Sequence, residues 1–501
     1  MRGAAVLATA ALSLSACTSV DRADEGVRSL RIGWLSPPVS LDPAQASGNL
    51  VYAQIAYEPL IYVGASGDPA PGLAASWKFL GAGNLQFELR LRDGVVFGDG
   101  SELTADLVKA NLERTRELGG QPATQLRAIE SIETVDSLTV RLSLSEPTPL
   151  LPRVLGELPG YMVGRTALDD PSILATQTVG AGQYKLDPAE TVSDDHYTYV
   201  PNPDYWDPAR IVWEKIVVRV LPDSNTALSA LQTGQVDFIQ SQDPNLIITA
   251  EEAGLKATSI PAVFLGLALA DRNGEVAPAL ADVRVRQALN YAVDRESIAR
   301  GIYGEHGAAT EQIVGPGQSG YNEEKRYPYD PERARELLAE AGYPDGFSLA
   351  VVSVSTTDAV VQAVADNLRE IGVDVAITAA GSGDQYLEQM RSRRFPAYGI
   401  GYGFQELQRT GPNLFLPGAT QFNPFGSSDE EVARLFREAA AADPQAREAL
   451  ERRLVARIVE LGWFVPVTVR PLVFLSSESI EGIQVSGGRL NPNPVEFRPA
   501  E

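Results

Sequence analysis

Runs of apolar residues with two different spacings alternate along the chain from residue 28 onwards. From Leu85 to Leu91 apolar and polar residues alternate, which predicts a strand with one buried face. Val263 to Leu269 is apolar throughout, as in a central strand that is buried on both faces. From Leu450 to Leu461 apolar residues recur every three or four positions, which predicts a helix with one buried face. Alternating or continuous apolar runs predict further strands at 30–34, 132–144, 212–220 and 373–378.

The predicted helices begin and end at residues that suit those positions. Thr104 stands at an N-cap, and Asp330 caps a helix whose first position is a proline, where the missing backbone N–H costs nothing. The segment Ser428 to Glu431 predicts a capping box. A helix over 358–371 ends at Gly372 and leads directly into the strand at 373–378, a connection typical of α/β proteins. The pattern therefore predicts a large, mixed α/β protein with several domains.

Composition and charge narrow the class of protein and exclude some partners. The chain has 501 residues, of which 44% are hydrophobic and 21% charged, as in soluble globular proteins. Its formal net charge is −23, so we expect no nucleic-acid partner, because an acidic surface repels phosphates. The charge favours solubility outside the cell, and attraction of cationic ligands is the alternative interpretation.

The first residues have the composition of an export signal. A basic start at Arg2 is followed by an uncharged, mostly apolar stretch that ends in Leu14-Ser-Ala-Cys17. This end resembles a bacterial lipobox, in which the cysteine carries the lipid. We therefore expect a signal peptide over 1–16, lipid attachment at Cys17 and a polar tether over 17–27, which would hold the protein at the outer face of the cytoplasmic membrane. An ordinary cleaved signal with an incidental cysteine is the alternative.

Few residues in the chain are suited to metal, redox or nucleophilic chemistry. Cys17 is the only cysteine, and the two histidines, His196 and His306, are far apart in the sequence, so we expect no disulfide, metal site or cofactor. The segment 315–320 matches G-x-G-x-x-G, but it follows no predicted strand and opens no predicted helix. With 65 acidic residues a glycosidase pair cannot be recognised from sequence, and no catalytic residue is predicted.

Several motifs occur in one order along almost the whole chain after the tether. They are Leu41-Asp-Pro43, Phe87 to Phe97, Asp99 to Asp106, Asn202-Pro-Asp-Tyr-Trp206, Ala230 to Asp237, Asp282 to Leu289 and Asp330 to Gly342. In this order they resemble the bacterial solute-binding proteins of family 5, the dipeptide, oligopeptide and nickel binders. Each motif also has a structural interpretation as a turn, a cap or core aromatics, and we expect these motifs to form the scaffold and not to contact ligand.

The resemblance implies an α/β, two-lobed periplasmic-binding-protein-like fold. It is the large type II variant, with a ligand cleft between the lobes. Lobe I would take residues 28–258 and 469–501, with an inserted subdomain at about 47–175, and lobe II would take 259–468. We expect hinges near Ser259-Ile-Pro261 and Val469-Arg-Pro471, where the chain would leave a strand at a proline.

The resemblance also implies where a ligand would lie. A loop at Ser47-Gly48-Asn49 and the strand that carries Phe264 and Gly266 line the cleft in relatives. The remaining candidates are Tyr402, Phe404, Gln405 and Glu406.

The residues from Tyr402 onwards differ from the pattern of the peptide binders. Those relatives read W-x-x-D-Y, and the aspartate pairs with the α-ammonium of the peptide. Here Gln405 takes the place of the aspartate, and a neutral amide supplies no counter-charge for a buried ammonium. Glu406 could supply it if the alignment is shifted by one residue.

These observations predict an exported solute-binding lipoprotein of an ABC importer, not an enzyme. We expect a monomer that binds a peptide-like, sugar-like or opine-like solute, contacts an ABC permease and ATPase complex, and meets the membrane through its lipid anchor only. The alternatives are an extracellular hydrolase and a chaperone-like or receptor lipoprotein that binds protein segments.

Overall fold

The structure is a computed structural model that describes residues 28–46, 50–64, 66–418, 422–485 and 491–500. The predicted signal peptide, Cys17 and the tether lie outside the described residues, as do Ser47, Gly48 and Asn49. Within the described ranges, none of the helices combines the length and the apolar character needed to cross a membrane.

Strands are distributed over the whole described chain. They are β1 (Ser29–Trp34), β2 (Ile61–Val63), β3 (Pro69–Pro71), β4 (Ala74–Leu80), β5 (Gln86–Leu91), β6 (Ile129–Asp136), β7 (Thr139–Leu144), β8 (Tyr184–Leu186), β9 (His196–Pro201), β10 (Lys215–Val220), β11 (Phe238–Ser241), β12 (Lys256–Leu269), β13 (Ala308–Ala309), β14 (Phe347–Ser353), β15 (Val373–Ala379), β16 (Ala397–Gly403), β17 (Phe464–Ser476), β18 (Ile480–Glu481) and β19 (Arg498–Pro499).

Helices connect and cover these strands. They are α1 (Leu50–Ala56), α2 (Ala105–Leu118), α3 (Gly120–Gln125), α4 (Leu151–Val154), α5 (Arg165–Asp169), α6 (Ser224–Gln232), α7 (Leu246–Glu252), α8 (Val283–Tyr291), α9 (Arg295–Tyr303), α10 (Pro331–Glu340), α11 (Asp358–Glu370), α12 (Gly383–Arg391), α13 (Leu407–Leu414), α14 (Glu430–Ala441) and α15 (Pro444–Glu460).

One large sheet runs through the molecule in the order β15-β14-β16-β12-β17-β11-β1-β10-β9-β8, and β13 pairs with β17. Strand β1 is parallel to both of its neighbours, whereas β12 and β17 are antiparallel to theirs. We call the part of the molecule around β1 and β8 to β11, together with the segment from α1 to α5, lobe I, and the part around β13 to β16, together with α13 to α15, lobe II. Strands β12 and β17 pass through both parts, so they join the lobes.

The two predicted hinge segments lie opposite each other within this strand pair. Pro261 of β12 pairs with Pro471 of β17, and the register shifts between Pro261 and Val263. The expectation that the chain leaves a strand at each proline is wrong, because both strands continue past it. Proline removes a ladder hydrogen bond, and here the loss coincides with an irregularity in register instead of a strand end.

Separate hydrophobic cores lie under the parts of the fold. The sheet β4-β5-β7-β6 packs with α2 over a core that runs from Leu60 to Met162 and also includes Ala181. Lobe I and lobe II have cores of their own, on either side of the joining strands. The predicted insertion at about 47–175 contains almost all of the first core.

Many of the predicted elements are confirmed, and their caps explain why. The side chain of Thr104 accepts a hydrogen bond from the backbone N–H of Leu107, and Asp330 accepts one from Arg333. Gly372 has a φ of 85° between α11 and β15, a conformation that costs glycine little. These features depend on neighbouring residues alone, so the sequence indicates them directly.

Two predictions about local structure are wrong. The single strand expected at 132–144 is a hairpin, because Asp136 accepts hydrogen bonds from the backbone of Leu138 and the hydroxyl of Thr139 and turns the chain. The helix expected to be capped by Ser428 begins one residue later. Asp429 is its N-cap and accepts from the N–H of Val432 at 3.0 Å.

Residues of the resemblance motifs hold the scaffold together. Asp42 is buried and pairs with Arg114, and it also accepts from the N–H of Ala44 at 3.0 Å. The buried amide of Asn202 donates to the carbonyl oxygen of Gly182 at 2.9 Å. These contacts support the structural interpretation of the motifs.

Candidate functional site

A cavity of about 270 Å³ lies between the two lobes. Lobe I contributes α1 with Gln54, the strand β2 with Tyr62, and the segment that follows α4. Lobe II contributes the residues that connect β16 to α13. The cavity is therefore bounded by elements that would separate if the lobes moved apart.

The lobe II wall of the cavity is built where a central strand ends and a helix begins. Strand β16 ends at Gly403, and the N–H of Phe404 donates to the carbonyl oxygen of Ala262 in β12 at 2.8 Å. Glu406 is the N-cap residue of α13, and its carbonyl oxygen accepts from the N–H of Arg409 at 2.8 Å. The positive end of the helix dipole favours a carboxylate at this position.

The lobe I wall is fixed by a close backbone approach. Gly156 follows α4, and a Cβ at this residue would lie 2.7 Å from the carbonyl oxygen of Ile61 and 2.5 Å from a methyl of Val63. Only glycine allows the segment to pack this tightly on β2. The packing places Arg153 and Glu157, one on each side of Gly156, in the cavity wall.

Four charged side chains form two ion pairs across the cavity, and we call them the cross-cleft quartet: Arg153, Glu157, Glu406 and Arg409. The guanidinium of Arg153 contacts the carboxylate of Glu406. The guanidinium of Arg409 lies 2.9 Å from the carboxylate of Glu157 and 3.9 Å from that of Glu406. Each pair joins one lobe to the other, and the four charges sum to zero.

The quartet is partly buried, and its electrostatics are mutually stabilising. Side-chain exposure ranges from 21% for Arg153 to 29% for Glu157. Burial lowers the pKa of the Arg409 guanidinium, but the carboxylates of Glu157 and Glu406 raise it by more, so the pKa stays above its ordinary value. Arg409 therefore remains a cation in the cavity wall.

Two polar atoms at the cavity have no hydrogen-bond partner among the described residues. They are Nε of Arg409, a donor, and Oε1 of Gln54, an acceptor. Buried polar atoms are almost always satisfied in folded proteins. A polar ligand with one acceptor and one donor would satisfy both.

The predicted ligand residues that the structure describes lie in two places, the cavity wall and the core behind it. Phe404, Gln405 and Glu406 line the cavity. Phe264 and Tyr402 pack behind the wall in the core of lobe II, where Phe264 is fully buried.

Gly266 also lies behind the wall, in strand β12. A Cβ at Gly266 would lie 2.1 Å from the carbonyl oxygen of Val465 in β17. This glycine allows the two joining strands to pack closely and does not line the cavity. The roles of Phe264, Gly266 and Tyr402 in ligand contact stay predictions.

Sequence reasoning missed Arg153, Glu157, Arg409 and Gln54. Arg153 and Glu157 are four residues apart, and Glu406 and Arg409 are three apart, so each pair has the spacing of an ordinary salt bridge within one helix. The one signal is the order of the charges: the cation comes first in Arg153 and Glu157, and the anion comes first in Glu406 and Arg409.

The residues suited to metal binding do not come together in the described part of the molecule. Within those ranges no group of three or more histidine, cysteine, aspartate or glutamate side chains could hold a metal ion. The cavity lining offers hydrogen-bonding groups, ion pairs and aromatic faces.

The sequence of the chain is similar to a family of known proteins. The family model for bacterial extracellular solute-binding proteins, family 5 Middle, matches residues 68–414. The glutathione-binding protein GsiB of Shigella flexneri is 30% identical over 319 residues, which are 61% of this chain and 60% of that protein. The match thus spans less than two thirds of that relative.

Solved structures resemble the fold over nearly its whole length. HbpA2 from Haemophilus parasuis has a TM-score of 0.83 at 22% identity and covers 94% of this chain and 100% of its own. The periplasmic binding protein DppA from Helicobacter pylori, in complex with the peptide STSA, has a TM-score of 0.75 at 23% identity, with 94% and 98% covered. The predicted two-lobed fold of periplasmic binding proteins is confirmed.

Proposed function

The chain belongs to family 5 of the bacterial extracellular solute-binding proteins, and from this we propose that it captures a small polar solute between its lobes and delivers it to an ABC importer. The observation that carries the proposal is the cavity whose walls come from both lobes. Its volume, about 270 Å³, suits a small solute. Rotation of the lobes about β12 and β17 would open it, and a ligand that contacts both walls would favour the closed state by its difference in affinity for the two states.

The charges of the cavity bear on the class of solute. Gln405 lines the cavity as a neutral amide, and the carboxylate of Glu406 is already paired with Arg153. A ligand with a free ammonium would therefore lose water without gaining an unpaired counter-charge, which is costly in a buried site. We propose that the solute is a blocked peptide, a sugar-like or opine-like compound, or another polar metabolite, and not an ordinary free-amine peptide.

The aromatic and amide groups of the cavity are consistent with such a solute. Tyr62, Tyr161 and Phe404 offer faces for apolar parts of a ligand, and Gln54, Gln121 and Gln125 offer donors and acceptors. Because the charges of the quartet sum to zero, these neutral groups would determine the orientation of the ligand.

The proposed location is the outer side of the cytoplasmic membrane, with Cys17 as the point of lipid attachment. One acyl chain gives weak binding, at about 0.8 kcal/mol per buried CH₂, so stable anchoring needs more than one chain on that cysteine. The family comprises binding proteins. The comparisons favour solute capture over the alternatives of a hydrolase or of a receptor for protein segments.

Ligand identification tests the proposal directly. Native mass spectrometry of the protein purified from its own host is expected to show a second species, heavier by the mass of one small solute. Adding that solute back to refolded protein should raise the melting temperature. A single species without added mass, together with no import defect when the gene is deleted, would contradict solute capture.

Calorimetric titration tests the class of solute. Glutathione and di- to pentapeptides with free amines are compared with their N-acetylated forms. We expect no free-amine peptide to bind more tightly than about micromolar. Micromolar or tighter binding by several of them, lost on acetylation, would overturn the proposed exclusion of free amines while leaving solute capture intact.

A further inference from the structure

The cross-cleft quartet has a reciprocal arrangement. Lobe I presents a cation, Arg153, to an anion of lobe II, Glu406. Lobe I also presents an anion, Glu157, to a cation of lobe II, Arg409, at 2.9 Å. Each lobe thus carries both signs, and the shorter ion pairs are the two that cross from one lobe to the other, since Arg409 and Glu406 within lobe II are 3.9 Å apart.

These contacts matter less for the stability of the fold than for neutralising the charges in the cavity wall. Ion pairs with partly exposed side chains contribute little to stability, so the pairs alone do not explain why four charges are placed at a cavity. Removing one partner of a partly buried pair is different, because the remaining charge is left without compensation and attracts an opposite charge from the ligand.

We propose that Arg153 and Glu157 are specificity-determining residues, each of which masks the opposite charge on lobe II. With both in place, the cavity offers neither an unpaired carboxylate to a cationic ligand nor an unpaired guanidinium to an anionic one. The inference rests on the proposed function, and it identifies the residues that exclude singly charged solutes.

The masking predicts opposite effects for two substitutions in the same segment. Arg153→Met keeps the apolar stem and leaves Glu406 with Arg409 at 3.9 Å, too long for a hydrogen bond. The cavity then favours a cation. Glu157→Gln keeps the shape of the side chain and leaves Arg409 without its 2.9 Å partner. The cavity then favours an anion.

Two peptide probes with the same triglycine backbone measure the effect. Triglycine amide carries an ammonium alone, and N-acetyltriglycine carries a carboxylate alone. Their affinities for the full protein are measured by calorimetry at low salt. Relative to the unaltered protein, we expect Arg153→Met to change the ratio of the two dissociation constants by about tenfold in favour of the cation, and Glu157→Gln by about tenfold in favour of the anion.

Matched controls separate local masking from the overall charge of the protein. Arg369→Met and Glu296→Gln make the same changes of charge in exposed ion pairs far from the cavity. Both should leave the ratio within about twofold, because distant exposed charges are screened. The double variant Arg153→Met/Glu157→Gln, in which both charges of lobe II are unmasked together, should return the ratio towards that of the unaltered protein.

The outcomes distinguish this inference from the proposed function. Equal ratios in all variants, shifts in the same direction, or no binding of either probe to either single variant would overturn the masking. Solute capture would still stand if native mass spectrometry finds a bound solute. Melting curves identify variants that fail to fold, and Arg153→Gln then replaces Arg153→Met in the same test.

Discussion

Arg153 of lobe I and Glu406 of lobe II are 253 positions apart in the numbering of the chain and form an ion pair across the cavity. Their contact exists only in the closed arrangement of the lobes. With the pair formed by Glu157 and Arg409, it gives the closed state a favourable electrostatic contribution that needs no ligand. The free protein is therefore expected to respond to salt as well as to solute.

Raising the ionic strength should open the free protein. Between about 20 and about 500 mM salt the screening length falls below about 5 Å, which weakens partly exposed ion pairs. We expect the radius of gyration from small-angle X-ray scattering to increase over this range.

A variant without the two carboxylates provides the control. In Glu157→Gln/Glu406→Gln the two ion pairs that cross the cavity are removed, so the radius should already be large at low salt and change little. Equal radii for both proteins at all salt concentrations would argue against the electrostatic contribution.

The buried carboxyl of Glu58 should make stability depend on pH. It is 1% exposed, and burial, opposed in part by Arg210 and by the hydroxyl groups of Tyr205 and Tyr62, raises the pKa of Glu58 from 4.5 to about 7. The folded protein therefore keeps this proton to a higher pH than the unfolded chain. The resulting stabilisation is fully present below pH 4.5 and is lost as the pH rises to about 7, by up to about 3 kcal/mol.

Urea unfolding at pH 4.5 and 7.5 measures this effect. Glu58→Gln, which cannot ionise, should reduce the fall in the free energy of unfolding over that interval. Glu133→Gln, at an exposed position of β6, should leave the fall unchanged. A similar fall in all three proteins would assign the pH dependence to other groups.

Substitution of Gly266 should destabilise the junction of the lobes. A Cβ there would lie 2.1 Å from the carbonyl oxygen of Val465, so the paired strands must move apart. We expect Gly266→Ala to lower the free energy of unfolding by about 1–3 kcal/mol. Gly301→Ala in helix α9, where nothing lies within 4 Å, should instead raise it by about 0.4–1 kcal/mol. Opposite signs in denaturant unfolding are the decisive result.

Replacing Cys17 should release the protein from the membrane. If this thiol carries the lipid, Cys17→Ala loses the anchor while the cavity is unchanged. Fractionation of host cells should move the protein from the membrane to the soluble fraction, and intact-mass measurement should show the loss of the lipid mass. Membrane association that persists in Cys17→Ala would contradict lipid attachment at this residue.

The sequence predicted best what depends on neighbouring residues. The caps at Thr104 and Asp330 and the positive φ of Gly372 follow from local chemistry, so they were recognisable without a fold. The hairpin at Asp136 was missed because the alternation of apolar residues begins at Leu138, within the turn, and does not mark where the first strand ends. The hydrogen bonds of one aspartate reverse the chain there.

The candidate site was predicted in part. Gln405 and Glu406 were identified through the resemblance, and both line the cavity. Arg153 was not identified, because its partner is distant in sequence and nothing within the segment 151–157 indicates which residue of lobe II it meets. Pairing of charges across a cleft is determined by the closed arrangement of the lobes, which local patterns do not encode.

The strand pair that joins the lobes restricts the direction in which they can move. Strands β12 and β17 remain hydrogen-bonded on both sides of the register shift beside Pro261. Sliding one strand along the other would break a row of backbone hydrogen bonds, whereas bending at the irregularity would preserve them. A second register shift lies between Leu265 and Gly266, so bending is confined to the short stretch of β12 from Pro261 to Gly266. The walls of the cavity thus approach each other by a bend within this stretch, and a solute of the wrong shape would hold them apart.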